Sequence, residues 1–120
     1  MKNRTLVIGA STNPNRYSNI AIKRLRDKEL PVVALGFRKG KVLDVTVDDE
    51  QQEYKNIDTV TLYLNPERQE EYYNYIVSLA PRRVIFNPGT ENTALVKLLE
   101  ENKIEAEVAC TLVLLSTDQY

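Results

Sequence analysis

The stretch Thr5-Leu6-Val7-Ile8-Gly9-Ala10-Ser11-Thr12-Asn13-Pro14-Asn15-Arg16-Tyr17-Ser18 constrains this chain more than any other. Its apolar run, Leu6-Val7-Ile8, has the length of a strand buried on both faces. The run breaks at Gly9 into small and polar residues, and an amphipathic pattern starts by about Ser18. Strand, small-residue turn and helix in that order make the anion-binding element of open α/β folds. The first-turn amides of such a helix have no partner within it, and the macrodipole puts its positive end there. Gly9 permits a tight turn and a close backbone approach. Ser11, Thr12, Asn13 and Asn15 bring hydroxyl and amide donors, and Arg16 brings charge. Two readings stand: the phosphate end of a nucleotide site, or a strand-to-helix turn that binds nothing. Of the dinucleotide fingerprint G-x-G-x-x-G only the first glycine is present, and the ATP loop G-x-x-x-x-G-K-[ST] is absent.

The 120 residues are expected to form one domain, 1–120, with a core that needs no disulfide or metal. A hydrophobic fraction of 42% and a charged fraction of 28% are those of an ordinary globular protein. The formal net charge of -1 argues against a nucleic-acid binder working through a broadly basic surface. No apolar run approaches the roughly 20 residues that span a bilayer. Met1-Lys2-Asn3-Arg4 leads straight into the first strand without a signal-peptide core. The single cysteine, Cys110, excludes an intrachain disulfide and suits a reducing compartment. A cytoplasmic protein with no membrane partner is expected.

Histidine is absent. That removes the usual zinc and iron sites, the Ser-His and Cys-His nucleophile pairs, and phosphohistidine. Carboxylate, Lys and Tyr chemistry remains, and no convergent set of these stands out. No catalytic and no metal-ligating residue is predicted.

Beyond the first turn, Ile20, Ala21, Ile22 and Leu25 share one helical face, while Lys23, Arg24, Asp27 and Lys28 share the other. Pro31-Val32-Val33-Ala34-Leu35 reads as a second buried strand, parallel to the first through a right-handed crossover. Val42-Leu43-Asp44-Val45 reads as a short strand, and Thr46 to Lys55 as an acidic, solvated connection. Thr59 to Leu64 is a strand rich in β-branched residues. Asn65-Pro66-Glu67 then reads as a helix start, with Asn65 at the N-cap and Pro66 at the first helical position. Tyr72, Tyr73, Ile76, Val77 and Ala80 follow at helical spacing, and the tyrosines suit packing or a subunit contact better than base stacking. Arg83 to Phe86 is the next strand and Asn87-Pro88-Gly89-Thr90 its exit turn. Leu95, Leu98 and Leu99 stripe another helix, and Ile104 to Val108 is the last strand. The apolar tail Cys110 to Leu115 is expected to pack back on the domain. The alternation predicts a single three-layer, Rossmann-like α/β domain with a mostly parallel five-stranded sheet and helices on both faces.

Gly36-Phe37-Arg38-Lys39-Gly40-Lys41 follows the second strand, where an NAD-binding domain carries an Asp or Glu for the ribose. A ring beside two cations suits an adenine whose ribose bears a phosphate; the alternative is a basic surface turn. In such sheets ligands bind at the carboxyl ends of the strands, where the strand order reverses. The turns at those ends are Gly9 to Arg16, Gly36 to Lys39, Tyr63 to Pro66 and Asn87 to Thr90.

Together these turns resemble the CoA-binding domain family, small stand-alone proteins similar to the CoA-binding domain of the succinyl-CoA synthetase α subunit. The resemblance is carried by Val7-Ile8-Gly9-Ala10-Ser11, Asn13-Pro14-Asn15-Arg16-Tyr17-Ser18, and Val60 to Pro66. Arg83-Val84-Ile85-Phe86-Asn87-Pro88-Gly89-Thr90-Glu91-Asn92 and Ala109 to Leu115 extend it over nearly the whole chain. It implies a five-stranded parallel sheet holding coenzyme A along the edge just described. Gly9, Ala10, Ser11, Asn13, Arg16 and Tyr17 would then lie near the pyrophosphate, and Phe37, Arg38 and Lys39 at the adenosine end. The stretch Leu62 to Pro66, with Tyr63, Asn65 and Pro66, would meet the pantetheine arm, and Asn87, Pro88 and Gly89 would close the far side. Family members usually carry an Asn-Pro pair after the second strand, and this chain departs from them there with Gly36-Phe37.

Three functions follow in order of preference. The first is a module that binds CoA or an acyl-CoA without catalysis of its own, with a protein partner or homodimer compatible with it. The second is an NADP-dependent oxidoreductase, since Arg38 and Lys39 would serve a 2′-phosphate as readily as CoA's 3′-phosphate. Against it, 120 residues leave no room for a second substrate region. The third is a structural or regulatory protein whose nucleotide site has decayed. Cys110 is read as a buried, inert thiol, with a mixed disulfide to the CoA thiol as the alternative.

Overall fold

Leu6, Val7 and Ile8 are fully buried, as a strand covered on both faces requires. In the computed structural model, which describes residues 3–120, they form the middle of β1 (Arg4–Ala10). The crossover helix α1 (Tyr17–Asp27) returns the chain to β2 (Val32–Gly36), which pairs parallel with β1. On its other side β1 pairs parallel with β5 (Ile57–Leu62), followed outward by β6 (Arg83–Phe86) and β7 (Glu105–Val108). With β3 (Gly40–Val42) and β4 (Val45–Asp48), the sheet has seven strands in the order β3-β4-β2-β1-β5-β6-β7.

Alternate residues of β1 feed two cores. Leu6 and Ile8 join one that contains Tyr72, Ile76, Leu95 and Leu99. Val7 joins another that contains Ile22, Leu25 and Leu115, and Ala10 follows it there because the register shifts between Ile8 and Ala10. Because neighbouring strand residues point to opposite faces, these cores are the two sides of the sheet. The first is capped by α3 (Tyr73–Leu79) and α4 (Thr93–Glu101), the second by α1 and α5 (Thr111–Ser116).

The expectation of five strands is corrected by the hairpin. Val42 to Val45 is not one strand but the turn between β3 and β4, with Val42 facing Val45 in an antiparallel pair. Leu43 takes a positive φ of 53°, and neither Leu43 nor Asp44 is followed by the glycine that marks a two-residue hairpin. Asp44 is instead held from outside, by Nε and Nη2 of Arg26 in α1, which donate to its carboxylate at 3.0 and 2.8 Å. The stretch expected as solvated connection begins as β4, where buried Val45 and Val47 flank exposed Thr46. β4 then pairs parallel with β2, occupying the place of a third crossover strand.

Asn65 caps α2 (Pro66–Gln69) by accepting the Arg68 amide at 3.0 Å, with Pro66 in the first helical turn as read. The helix is interrupted, passing through a 3₁₀ turn at Glu70–Tyr72 before α3. The apolar tail is α5, and Tyr120 beyond it folds under the amino ends of the central strands. There the Tyr120 hydroxyl bonds Thr5, and the Arg83 guanidinium lies 4.7 Å over its ring. No helix among the described residues is long and apolar enough to cross a membrane.

Candidate functional site

The connections leave β1 and β5 on opposite faces of the sheet, so the strand order reverses between them and opens a crevice at their carboxyl ends. Gly9 shapes its floor. It has a positive φ of 92°, and a β-carbon there would stand 2.9 Å from the Tyr63 carbonyl carbon. β1 and β5 therefore close on each other only with glycine at this position. Gly36 does the same on the other flank, where a β-carbon would come within 2.2 Å of the Ala10 carbonyl oxygen. The resulting cleft has a volume of about 810 Å³, within the usual range for a small-ligand site.

Gly9, Ala10, Tyr63 and Leu64 form its base, and Ser11, Thr12 and Asn13 rise on one side toward Arg16, Tyr17 and Ser18. In this first turn the polar side chains order the backbone. Ser11 Oγ accepts the Asn13 amide at 3.1 Å, and Asn13 Oδ1 accepts the Asn15 amide at 3.0 Å. Buried Asn19 donates from Nδ2 to the Ser11 carbonyl at 2.9 Å. Arg16 occupies the N-cap position of α1 in extended backbone and makes no side-chain cap. Its carbonyl takes the Asn19 and Ile20 amides, whereas the Tyr17 and Ser18 amides have no acceptor among the described residues. Two free amides and a guanidinium thus share one helix end, the arrangement that receives an anion.

Phe37 and Arg38 bring the second turn to the cleft; Lys39 does not line it. This turn is braced on the first, since a β-carbon at Gly40 would press to 2.4 Å of Thr12 Cγ2. From the third turn come Asn65 and Arg68, while Pro66 lies outside the lining. Burial pushes the Tyr63 phenol up to about 12, partly offset by the nearby Thr111 and Thr61 hydroxyls. Those two hydroxyls bond each other at 2.8 Å, and the Tyr63 hydroxyl is left buried and without a hydrogen-bond partner. It is a neutral wall of the cleft.

The fourth turn contributes Pro88, Gly89 and Thr90 but not Asn87. Asn87 is buried and its carboxamide is fully engaged: Nδ2 donates to Thr61 Oγ1 at 2.6 Å and to the Leu62 carbonyl at 2.9 Å. A second buried amide, Gln69, spans the third and fourth turns by donating to the Leu64 and Thr90 carbonyls, both at 2.8 Å. Asn92, the N-cap of α4, donates in turn to Gln69 Oε1 at 2.9 Å and to the Tyr73 hydroxyl.

Of the residues expected in the site, Gly9, Ala10, Ser11, Asn13, Arg16 and Tyr17 come together, as do Phe37 and Arg38. Tyr63, Asn65, Pro88 and Gly89 join them; Lys39, Pro66 and Asn87 are not part of the lining. Cys110, half-buried at the start of α5, is not in the lining either. Leu64 joins the lining from the expected pantetheine stretch, whereas Ser18, Arg68 and Thr90 are lining residues that the sequence reading does not single out for binding. Arg68 had a signal, since it stands three residues past an N-cap at a carboxyl-edge turn. The charge of the lining is one-sided: Arg16, Arg38 and Arg68, with no carboxylate.

A mostly parallel sheet with an arginine-lined crevice at its switch point defines a Rossmann-like α/β domain. The chain belongs to the CoA binding domain family, whose pattern it matches over residues 3–116. Among solved structures, it is similar to that of an uncharacterized protein with 46% identity and a TM-score of 0.95, over 100% of this chain and 99% of that one. A Thermus thermophilus protein shares the fold at 16% identity and a TM-score of 0.86, covering 99% of this chain and 91% of that one. A hypothetical protein from Pyrococcus horikoshii OT3 is 26% identical with a TM-score of 0.75, over 93% and 80% of the two chains. No curated protein sequence matches the chain.

Proposed function

We propose that this chain binds coenzyme A or an acyl-CoA in the cleft at the carboxyl edge of its sheet, without chemistry of its own. The observation that carries this reading is the charge of the lining: three arginines and no carboxylate, in a chain of net charge -1. CoA is a polyanion with a pyrophosphate and a ribose phosphate, and the family supports it as the ligand. In this reading the pyrophosphate lies at the start of α1, taken by the free Tyr17 and Ser18 amides and by the Arg16 guanidinium. Phe37 and Arg38 meet the adenosine end. Tyr63 and Asn65 flank the pantetheine arm, with Pro88 and Gly89 opposite. The partner is a small molecule rather than nucleic acid or membrane.

Titration calorimetry with CoA, dephospho-CoA and NADP tests the reading. A hydrogen bond to a charged group contributes about 1.5–3 kcal/mol, so Arg16→Ala is expected to weaken CoA binding roughly ten- to hundredfold. NADP binding more tightly than CoA, or Arg16→Ala binding CoA like the wild type, would sink it. Enzyme-dependent turnover of labelled ATP or succinyl-CoA would refute the absence of chemistry.

A further inference from the structure

Two residues from opposite sides of the crevice meet across it. Phe37 leaves β2 with 56% of its surface exposed, a large ring with little protein against it. Arg68 enters from α2, and its Cζ stands 4.8 Å from the Phe37 ring centroid. Both line the cleft. The ion pairs of the described residues use Arg26, Lys28, Arg82 and Arg83, so Arg68 has no carboxylate partner there. A guanidinium held only by a ring face keeps its N–H donors for a ligand. The flanking strands β2 and β5 both pair with β1, so this contact joins the two loops that border the exit of β1.

We infer that Arg68 is the specificity-determining cation for the ribose phosphate of the bound nucleotide, held in the cleft mouth by Phe37, with Lys39 outside the site. The assignment rests on the reading of the cleft as a CoA site. It replaces the pair Arg38 and Lys39 by Arg38 and Arg68, drawn from two different loops. A phosphomonoester matches the planar fork of an arginine better than the point charge of a lysine. An exposed cation–π contact is weak, so Arg68 moves from ring to phosphate at small cost. The ring face it vacates is then open to the planar base. Before binding, the same contact holds the solvent-exposed guanidinium over the ring at the cleft mouth, which is preorganisation.

The experiment compares CoA with dephospho-CoA by titration calorimetry on the wild type, Arg68→Ala, Arg68→Lys, Lys39→Ala and Phe37→Leu. The ratio of the two affinities is the readout, because a general disturbance of the cleft weakens both ligands alike. The wild type is expected to prefer CoA. Arg68→Ala should reduce that preference about tenfold or more, and Arg68→Lys should restore part of it. Lys39→Ala should leave it unchanged, and Phe37→Leu should weaken both ligands while reducing the preference less than Arg68→Ala. If the wild type binds CoA but Arg68→Ala keeps its preference, or if Lys39→Ala loses it, the assignment falls and the CoA reading stands. A wild type that binds both ligands equally also removes the assignment. A wild type that binds neither overturns both.

Discussion

Asn87 accepts the backbone amide of Thr111 on its side-chain oxygen at 2.8 Å. That bond ties the exit of β6 to the first residue of α5, which packs beside α1 on the same face of the sheet. The same carboxamide donates to Thr61 and to the Leu62 carbonyl, so one side chain joins β5, β6 and α5. A residue whose position in the turn suggests ligand contact is thereby a framework residue. It holds the wall from behind, and Pro88 and Gly89 meet the cleft in its place.

Asn87→Ala is expected to destabilise the fold by about 3 kcal/mol. It strips partners from the buried Leu62 carbonyl and Thr111 amide, and each buried group left unsatisfied costs about 1–3 kcal/mol. Urea denaturation measures the loss. A change below about 1 kcal/mol would show that water replaces the side chain without penalty.

Gly36→Ala should cost about 1–3 kcal/mol, the range for overpacking a filled site. The added methyl would meet a backbone oxygen, Ala10 O at 2.2 Å, rather than a side chain able to turn away. CoA binding should weaken too, because Ala10 lies in the base of the cleft. Thermal melts and calorimetry on the same variant give both numbers.

Three tyrosines predict an alkaline limit. Burial is the largest cause at each, raising Tyr63 and Tyr75 to about 12 and Tyr54 further. Above their ordinary value of 10.0 the unfolded chain releases these protons while the folded chain retains them. Stability is therefore complete below about pH 10 and is lost as pH rises from 10 to 12. Urea midpoints at pH 8, 10 and 11 should fall only at the last steps. Tyr63→Phe should flatten part of that fall.

Tyr120→Ala is expected to destabilise by about 2 kcal/mol, less than a fully buried aromatic truncation because Tyr120 is half-buried. It loses the Thr5 hydroxyl contact and the ring under Arg83, although Arg83 keeps Thr59 at 3.0 Å and Glu107 at 3.1 Å. The site lies at the opposite end of the strands. Ligand affinity measured below the melting temperature should match the wild type.

Local signals determined much of this protein. Leu6-Val7-Ile8 before Gly9, and Asn65-Pro66 after a β-branched run, each settle a strand end or helix start within a few residues. Their periodicities state which faces are apolar, which is enough for an α/β domain with its turns along one edge. The hairpin escaped because Leu43-Asp44 lacks turn chemistry of its own and is held by Arg26, 18 residues away in the chain. Strand count therefore depended on a contact that no local pattern encodes. The same holds within the site. Lys39 and Arg38 are neighbours in sequence, yet only Arg38 lines the cleft. Arg68 lies far from Phe37 in the chain and 4.8 Å from its ring in space. Composition supplied the cations, but only the strand order, by setting β2 and β5 on either side of β1, decided which of them line one cleft.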